Sequence, residues 1–221
     1  MRTVIFDLDG TLADTSADLI AAANTAMQAM GHAPQLRVGQ DDATAFRGGR
    51  AMLKLSLERM GHGDVAGEVE RGYPILLAAY GEALDVYTRL YPGALDAVQA
   101  LWADGFRVGV CTNKPELLAD QLLQRLGVRD LFASLIGADT LATRKPDPAP
   151  YVAAVEQAGG AVARSLLVGD TVTDRDTARA AGVPSVLVTF GPLGQSVADM
   201  APDALLGDFG QMLDVARALL D

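Results

Sequence analysis

The run Thr3-Val-Ile-Phe-Asp-Leu8 is β-branched and aromatic, too short for a helix, and bounded at once by the turn residues Asp9-Gly10-Thr11. It reads as a buried strand, and a lone buried strand is not a stable object: it needs neighbours. No convincing strand follows it before residue 104. Beyond that point the pattern alternates: a helix over 94–104, a strand Arg107–Cys111, a helix over 116–126, a short strand Ser134–Gly137, a helix over 148–158, a strand Leu166–Gly169, a helix over 173–181 and a strand Pro184–Thr189. Strands alternating with helices imply right-handed crossovers and a parallel sheet covered on both faces. The first strand therefore has to join that distant set.

What lies between is helical. Ser16 can cap a helix whose apolar positions Leu19, Ile20, Ala23, Met27 and Met30 recur at steps of three or four, and Gly31 can close it. Residues 40–90 continue the helical pattern, punctuated by Gly48-Gly49, Gly61, Gly63, Gly67 and Gly72. The expected fold is α/β, a Rossmann-like parallel-sheet core over 1–15 and 91–221, with an inserted α-helical domain over 16–90. Met27, Met30, Met52 and Met60, at helical spacing, are expected to pack in the core of the insert. His32 and His62 each follow a glycine and are expected to be exposed turn residues.

A chain of 221 residues suits one domain carrying an insert. Its formal net charge of −10 opposes nucleic-acid backbones and anionic membranes, and no local basic cluster overrides it. The single cysteine, Cys111, and only two histidines exclude CxxC redox pairs and Cys/His zinc sets. Acids occupy the start of the chain where a signal peptide needs its apolar stretch, and no run approaches the ~20 apolar residues of a membrane span. A cytoplasmic location is expected.

In an open parallel sheet, ligands bind at the carboxyl ends of the strands, and the unusual polar residues of this chain sit there. The first strand ends in Asp7-Leu8-Asp9-Gly10-Thr11, the next in Cys111-Thr112-Asn113-Lys114, a later one in Gly169-Asp170-Thr171-Val172-Thr173-Asp174. Residues i and i+2 of a strand share a face, so the side chains of Asp7 and Asp9 can converge while Leu8 turns into the packing. Adjacent carboxylates repel unless a cation or a shared proton holds them. Carboxylates without histidine or thiolate favour a hard, oxygen-ligated ion, and Mg²⁺ is the natural one where phosphate completes the shell. The plainer reading of any one such aspartate is turn chemistry or a helix cap.

Asp-Leu-Asp-Gly-Thr at 7–11, Thr112-Asn113 after a buried strand, Lys145 in Arg144-Lys145-Pro146-Asp147-Pro148, and Gly169-Asp170-x-x-x-Asp174 resemble, in order and spacing, the four motifs of the haloacid dehalogenase-like hydrolase superfamily. The resemblance spans the chain. The insert lies where subclass I members carry a helical cap, and the tail Gly182–Leu206 is similar to phosphoglycolate-phosphatase-like members. It implies a phosphatase that hydrolyses a small phosphorylated metabolite, with 2-phosphoglycolate the best single substrate, through an aspartyl-phosphate. Asp7 would be the nucleophile and Asp9 the general acid and base. Thr112, Asn113 and Lys145 would hold the transferring phosphoryl group. Asp7, Asp9 through its carbonyl, Asp170 and Asp174 would bind Mg²⁺ or orient its shell. The alternatives are a phosphomutase of the β-phosphoglucomutase type and a non-catalytic phosphate-binding module. The protein would be a monomer or homodimer, with no nucleic-acid or membrane partner.

Phe46-Arg47-Gly48-Gly49-Arg50 interrupts the helices of the insert, and Arg47, Gly48 and Arg50 are the candidates there for meeting an anionic group of the substrate. The competing reading is a plain helical connection with solvated arginines. Lys114 is expected to be exposed, Cys111 to be a small buried hydrophobe rather than a nucleophile, and Asp176 to lie on a helix surface.

Overall fold

The computed structural model describes residues 1–221, and the chain divides into two compact units: Met1–Asp14 with Leu90–Asp221, and Thr15–Arg89. The first unit is built on a six-stranded sheet, every pair parallel. Across the sheet the strands run Ser134–Ile136, Arg107–Cys111, Thr3–Phe6, Ser165–Gly169, Ser185–Val188 and Ala204–Leu206. The opening strand is thus central, with Val4 level with Val108 on one side and Leu166 on the other. Val4, Ile5 and Phe6 are fully buried, because helices cover both faces of the sheet and an alternating pattern would leave polar groups unsolvated.

Each face has its own apolar layer. Ile5, Cys111, Leu167, Tyr151, Val155 and Ala178 form one cluster, with the Tyr151 hydroxyl satisfied by Ser165 Oγ at 2.6 Å. Toward the other face, Phe6, Phe209, Phe190 and Tyr91 follow one another with ring centroids 5.0–6.4 Å apart. Cys111 is buried, as its place in an apolar strand predicts, and burial pushes its thiol up to about 12, which leaves it inert. The sixth strand, Ala204–Leu206, and the C-terminal helix Met212–Leu220 go beyond the sequence reading: a three-residue edge strand, half exposed, carries almost no periodic signal.

The second unit is helical: Ser16–Ala29, Asp42–Ala45, Gly49–Arg59 and Val65–Glu82. Thr15, not Ser16, occupies the cap position of its first helix. Leu19, Ile20, Ala23 and Met27 line the buried side of that helix, facing a core that includes Met52, Leu53, Leu57, Leu76 and Tyr80. The unit closes on itself through Asp18, whose buried carboxylate accepts the amides of Tyr87 and Thr88 and the Thr88 hydroxyl at 2.8–3.2 Å. Only Met27 and Met52 of the four methionines are core residues. Met30 is half-buried and Met60 exposed, because both stand at the C-terminal ends of their helices, where the apolar stripe has run out.

Candidate active site

The carboxyl ends of the central strands bring together residues far apart in sequence. Asp7 continues the first strand by donating its amide to the Val168 carbonyl at 2.8 Å, which fixes its side chain at the sheet edge. The chain then turns tightly: the amides of Thr11, Leu12 and Ala13 all reach the Leu8 carbonyl, and Gly10 takes φ +81°. Gly10 is there for a second reason. A Cβ at this position would stand 2.4 Å from Asp170 Oδ2, so only a glycine lets this turn approach that carboxylate. Thr11 donates its hydroxyl to the other oxygen of Asp170 at 3.2 Å.

Asp170 follows the strand Ser165–Gly169, and Asp174 lies in the first turn of the helix Val172–Ala181. Thr171 and Asp174 form a reciprocal capping box, in which Asp174 Oδ2 accepts the amide and hydroxyl of Thr171 at 3.1 and 2.6 Å. The cap aims the other oxygen, Oδ1, at Lys145 Nζ, 2.6 Å away. Lys145 Nζ also lies 3.1 Å from Asp7 Oδ1. Asp7, Asp170 and Asp174 offer carboxylate oxygens that all lie within 4.8 Å of one another, around one almost fully buried ammonium.

The electrostatics follow from burial and from this crowding. Burial pushes Asp7 up to about 6; Lys145 opposes the shift and the carboxylates of Asp174 and Asp9 reinforce it. Burial, then Asp174 and Asp7, hold Asp170 well above the ordinary carboxylate range. Burial works against the charge of Lys145, but its two aspartate partners outweigh it and keep it an ammonium. Three carboxylates against one cation leave excess negative charge in a buried place, and Asp170 Oδ2 is buried without any hydrogen-bond partner. An orphaned acceptor beside other carboxylate oxygens, with no nitrogen or sulfur donor in the set, fits a hard divalent cation.

The second strand supplies the remaining residues. Thr112, buried, donates its amide to the Ile136 carbonyl at 2.9 Å, and its hydroxyl oxygen accepts the Lys114 amide at 3.2 Å. Asn113 donates its side-chain amide to the Lys145 carbonyl at 3.0 Å, tying the two phosphate-binding candidates into one loop pair. Lys114 is not exposed as expected: its side chain is 3% exposed, and Nζ bridges both carboxylate oxygens of Asp9 at 2.8 and 3.0 Å. Asp9 is a partner 105 residues earlier that draws it inward. The signal that could have found Lys114 is its place, directly beyond a buried strand at the same sheet edge as the acids.

Within the helical unit, Gly48 (φ +94°) caps the helix Gly49–Arg59, and Arg47 is exposed. Arg50 is engaged inside that unit, forked onto both oxygens of Glu70 at 2.8 and 3.0 Å and stacked 3.7 Å over the Tyr73 ring.

The sequence profile of the haloacid dehalogenase-like hydrolase family matches residues 1–182. A phosphoglycolate phosphatase of Agrobacterium fabrum is 39% identical over 94% of this chain and 89% of its own length. One from Rhodospirillum rubrum is 38% identical over 96% and 90%. Among solved structures, a predicted phosphoglycolate phosphatase of Haemophilus somnus superposes with a TM-score of 0.82 at 26% identity, covering 97% of both chains.

Proposed function

The chain belongs to the haloacid dehalogenase-like hydrolase family, and from that premise we propose that it is a Mg²⁺-dependent phosphatase of small phosphomonoesters, with 2-phosphoglycolate its substrate. The observation that carries the reading is the convergence of Asp7, Asp170, Asp174 and Lys145 at one sheet edge.

Asp7 is the nucleophile. Its carboxylate oxygen forms a bond to phosphorus as the ester P–O bond breaks, and the leaving alkoxide takes a proton from Asp9. Asp9 then accepts a proton from water as that water attacks the phosphorus, releasing inorganic phosphate and restoring the Asp7 carboxylate. Splitting the displacement in this way leaves two lower barriers in place of one. Lys145, fixed by Asp174, and Thr112 with Asn113 receive the phosphoryl oxygens. Asp7, Asp170 and the carbonyl of Asp9 would hold Mg²⁺, with Asp174 orienting the set, and the bound ion would supply charge neutralisation at the transferring group. Lys114 keeps the Asp9 carboxylate at the site.

Glycolate phosphate carries a second anionic group, and Arg47 in the helical unit is the candidate that reads it, since Arg50 is already paired with Glu70. That unit serves as the cap and the unit bearing the sheet as the catalytic core. No helix is long and apolar enough to cross a membrane, and the acidic balance disfavours nucleic acid. In this reading the enzyme is cytoplasmic, a monomer or homodimer, and its partner is a small phosphorylated metabolite.

The test is phosphate release from 2-phosphoglycolate, hexose and pentose phosphates and nucleoside monophosphates, with and without Mg²⁺. Selective, Mg²⁺-dependent release from 2-phosphoglycolate is expected. Conversion of a sugar phosphate to its isomer with little free phosphate would replace the phosphatase by a mutase. No turnover of any ester by the folded protein would overturn the reading.

A further inference from the structure

The only two histidines of the chain meet. They belong to a repeated tripeptide, Met30-Gly31-His32 and Met60-Gly61-His62, and both copies end a helix in the same way. The amide of Gly31 reaches the Gln28 carbonyl and that of His32 the Met27 carbonyl. Likewise Gly61 reaches Glu58 and His62 reaches Leu57, all at 2.9–3.0 Å. Both glycines take the left-handed conformation that such a helix end requires, φ +86° and +66°. The two caps fix where each histidine leaves its helix, and they bring the imidazole rings to 5.4 Å between centroids, nearly edge to face.

A third helix, Val65–Glu82, contributes Glu68 from its first turn, with Oε2 3.4 Å from His32 Nε2. The donor atoms of His32, His62 and Glu68 all lie within 4.8 Å of one another. Neither histidine is exposed as an ordinary turn residue is: the His32 side chain is 17% exposed, like that of Glu68, and His62 is half-buried. These are corrections to the expectation of exposed turn residues. They come from the meeting of two helix C-terminal ends, which no local pattern announces.

We propose that His32, His62 and Glu68 form a binding site for a transition-metal dication, of which Zn²⁺ is the representative. Two imidazoles and one carboxylate make the donor set of an open tetrahedral site, the fourth position going to water. The chemistry is distinct from that of the aspartate cluster. Mg²⁺ prefers oxygen and keeps its water, whereas imidazole selects ions of the zinc, nickel and copper group. Ligand atoms around Zn²⁺ stand roughly 3.3 Å apart at bond lengths near 2.0–2.1 Å, so the three side chains close in by about 1 Å through small rotations about their χ angles. Two existing contacts yield. Arg71, whose guanidinium lies 2.6 Å from Glu68 Oε2, is on an exposed side chain and moves aside, and His62 Nδ1 gives up the long 3.2 Å bond it accepts from the Asp64 amide. The ion then ties together three helices of one unit, and its effect is to stabilise that unit.

Chelator-stripped full-length protein is titrated with Zn²⁺ against a chromophoric chelator, with Mg²⁺ in excess to occupy the aspartate cluster. One equivalent of Zn²⁺ is expected to bind, with a rise in the thermal midpoint. His32→Ala and His62→Ala are each expected to weaken uptake by about a hundredfold. The wild-type protein provides a measurement free of folding concerns: the imidazole ¹⁵N resonances of both histidines shift on addition of Zn²⁺ and not of Mg²⁺. Zinc uptake that survives loss of both histidines, or imidazole resonances unmoved by Zn²⁺, would overturn the proposal.

Discussion

Lys114 Nζ lies 2.8 and 3.0 Å from the two carboxylate oxygens of Asp9, on side chains only 3% and 17% exposed. A lysine this buried is held there by its partner, since an isolated ammonium would not leave water. The pair fixes the carboxylate assigned the proton transfers, and a displaced general acid loses most of its value even when its chemistry is intact. Lys114→Met is therefore expected to lower kcat/KM for a phosphomonoester by about 10- to 100-fold. Asp9→Asn should abolish turnover, and the double variant should be no worse than Asp9→Asn alone. Independent, multiplicative losses in that cycle would refute the coupling.

Asp7 sits in a different balance. Its charge is opposed by burial and by the neighbouring acids and favoured by Lys145 and by the Leu8 amide, which donates to Asp7 Oδ1 at 2.8 Å. Asp7→Asn removes the nucleophile and, at the same time, one of the crowded negative charges. Turnover should fall by at least about 1,000-fold, while the thermal midpoint of the metal-free protein stays level or rises. A variant that retained turnover above that level would require a different nucleophile. One that failed to fold would show that the Lys145 pair outweighs the crowding.

Much of this arrangement is legible in the chain. Val4, Ile5 and Phe6 have no polar alternation, so they had to be covered on both faces, and the acids that follow could only lie at a strand end. Asp174 reads as a helix cap or as part of the site, and in the structure it shares a capping box with Thr171 that aims its other oxygen at Lys145. What was not legible depends on distant partners. Lys114 reads as exposed because lysines usually are, and Asp9 reverses that from 105 residues away. His32 and His62 read as turn residues, which they are locally, and only the pairing of two helix ends brings their rings together. The strand Ala204–Leu206 owes its conformation to the paired strand Ser185–Val188 rather than to its own three residues.

Gly10→Ala tests the turn. The added Cβ meets Asp170 Oδ2 at 2.4 Å on a backbone at φ +81°, so Asp170 has to swing away or the turn has to open. A loss of about 1–3 kcal/mol in stability is expected from the strained backbone alone. The sharper sign is a Mg²⁺ requirement raised by tenfold or more, read from activity against Mg²⁺ concentration. Unchanged Mg²⁺ dependence would mean that Asp170 does not need its observed place.

The acid cluster also predicts how Mg²⁺ and pH act together on stability. Asp7 has its affinity for a proton raised by folding, from the ordinary 3.8 to about 6, and Asp170 is raised in the same direction. The folded state thus binds protons more tightly than the unfolded one. The stability that Asp7 contributes in this way is fully present below about pH 3.8 and is lost as the pH rises through about 6, and Asp170 acts in the same direction. Asp41 and Asp104, held down by Arg59 and Arg217, titrate below that window and do not mask it. Between about pH 5 and about pH 8 the metal-free protein should therefore lose thermal stability as its buried carboxylates ionise. Mg²⁺ competes with those protons and takes the ionised form, so its stabilising effect should be small near the acid end and largest near the alkaline end. Thermal midpoints with Mg²⁺ and with a chelator, measured across that range, check both halves of the argument. Asp170→Asn should flatten the Mg²⁺ response. A Mg²⁺-induced shift of equal size at every pH would mean that the ion binds away from Asp7 and Asp170.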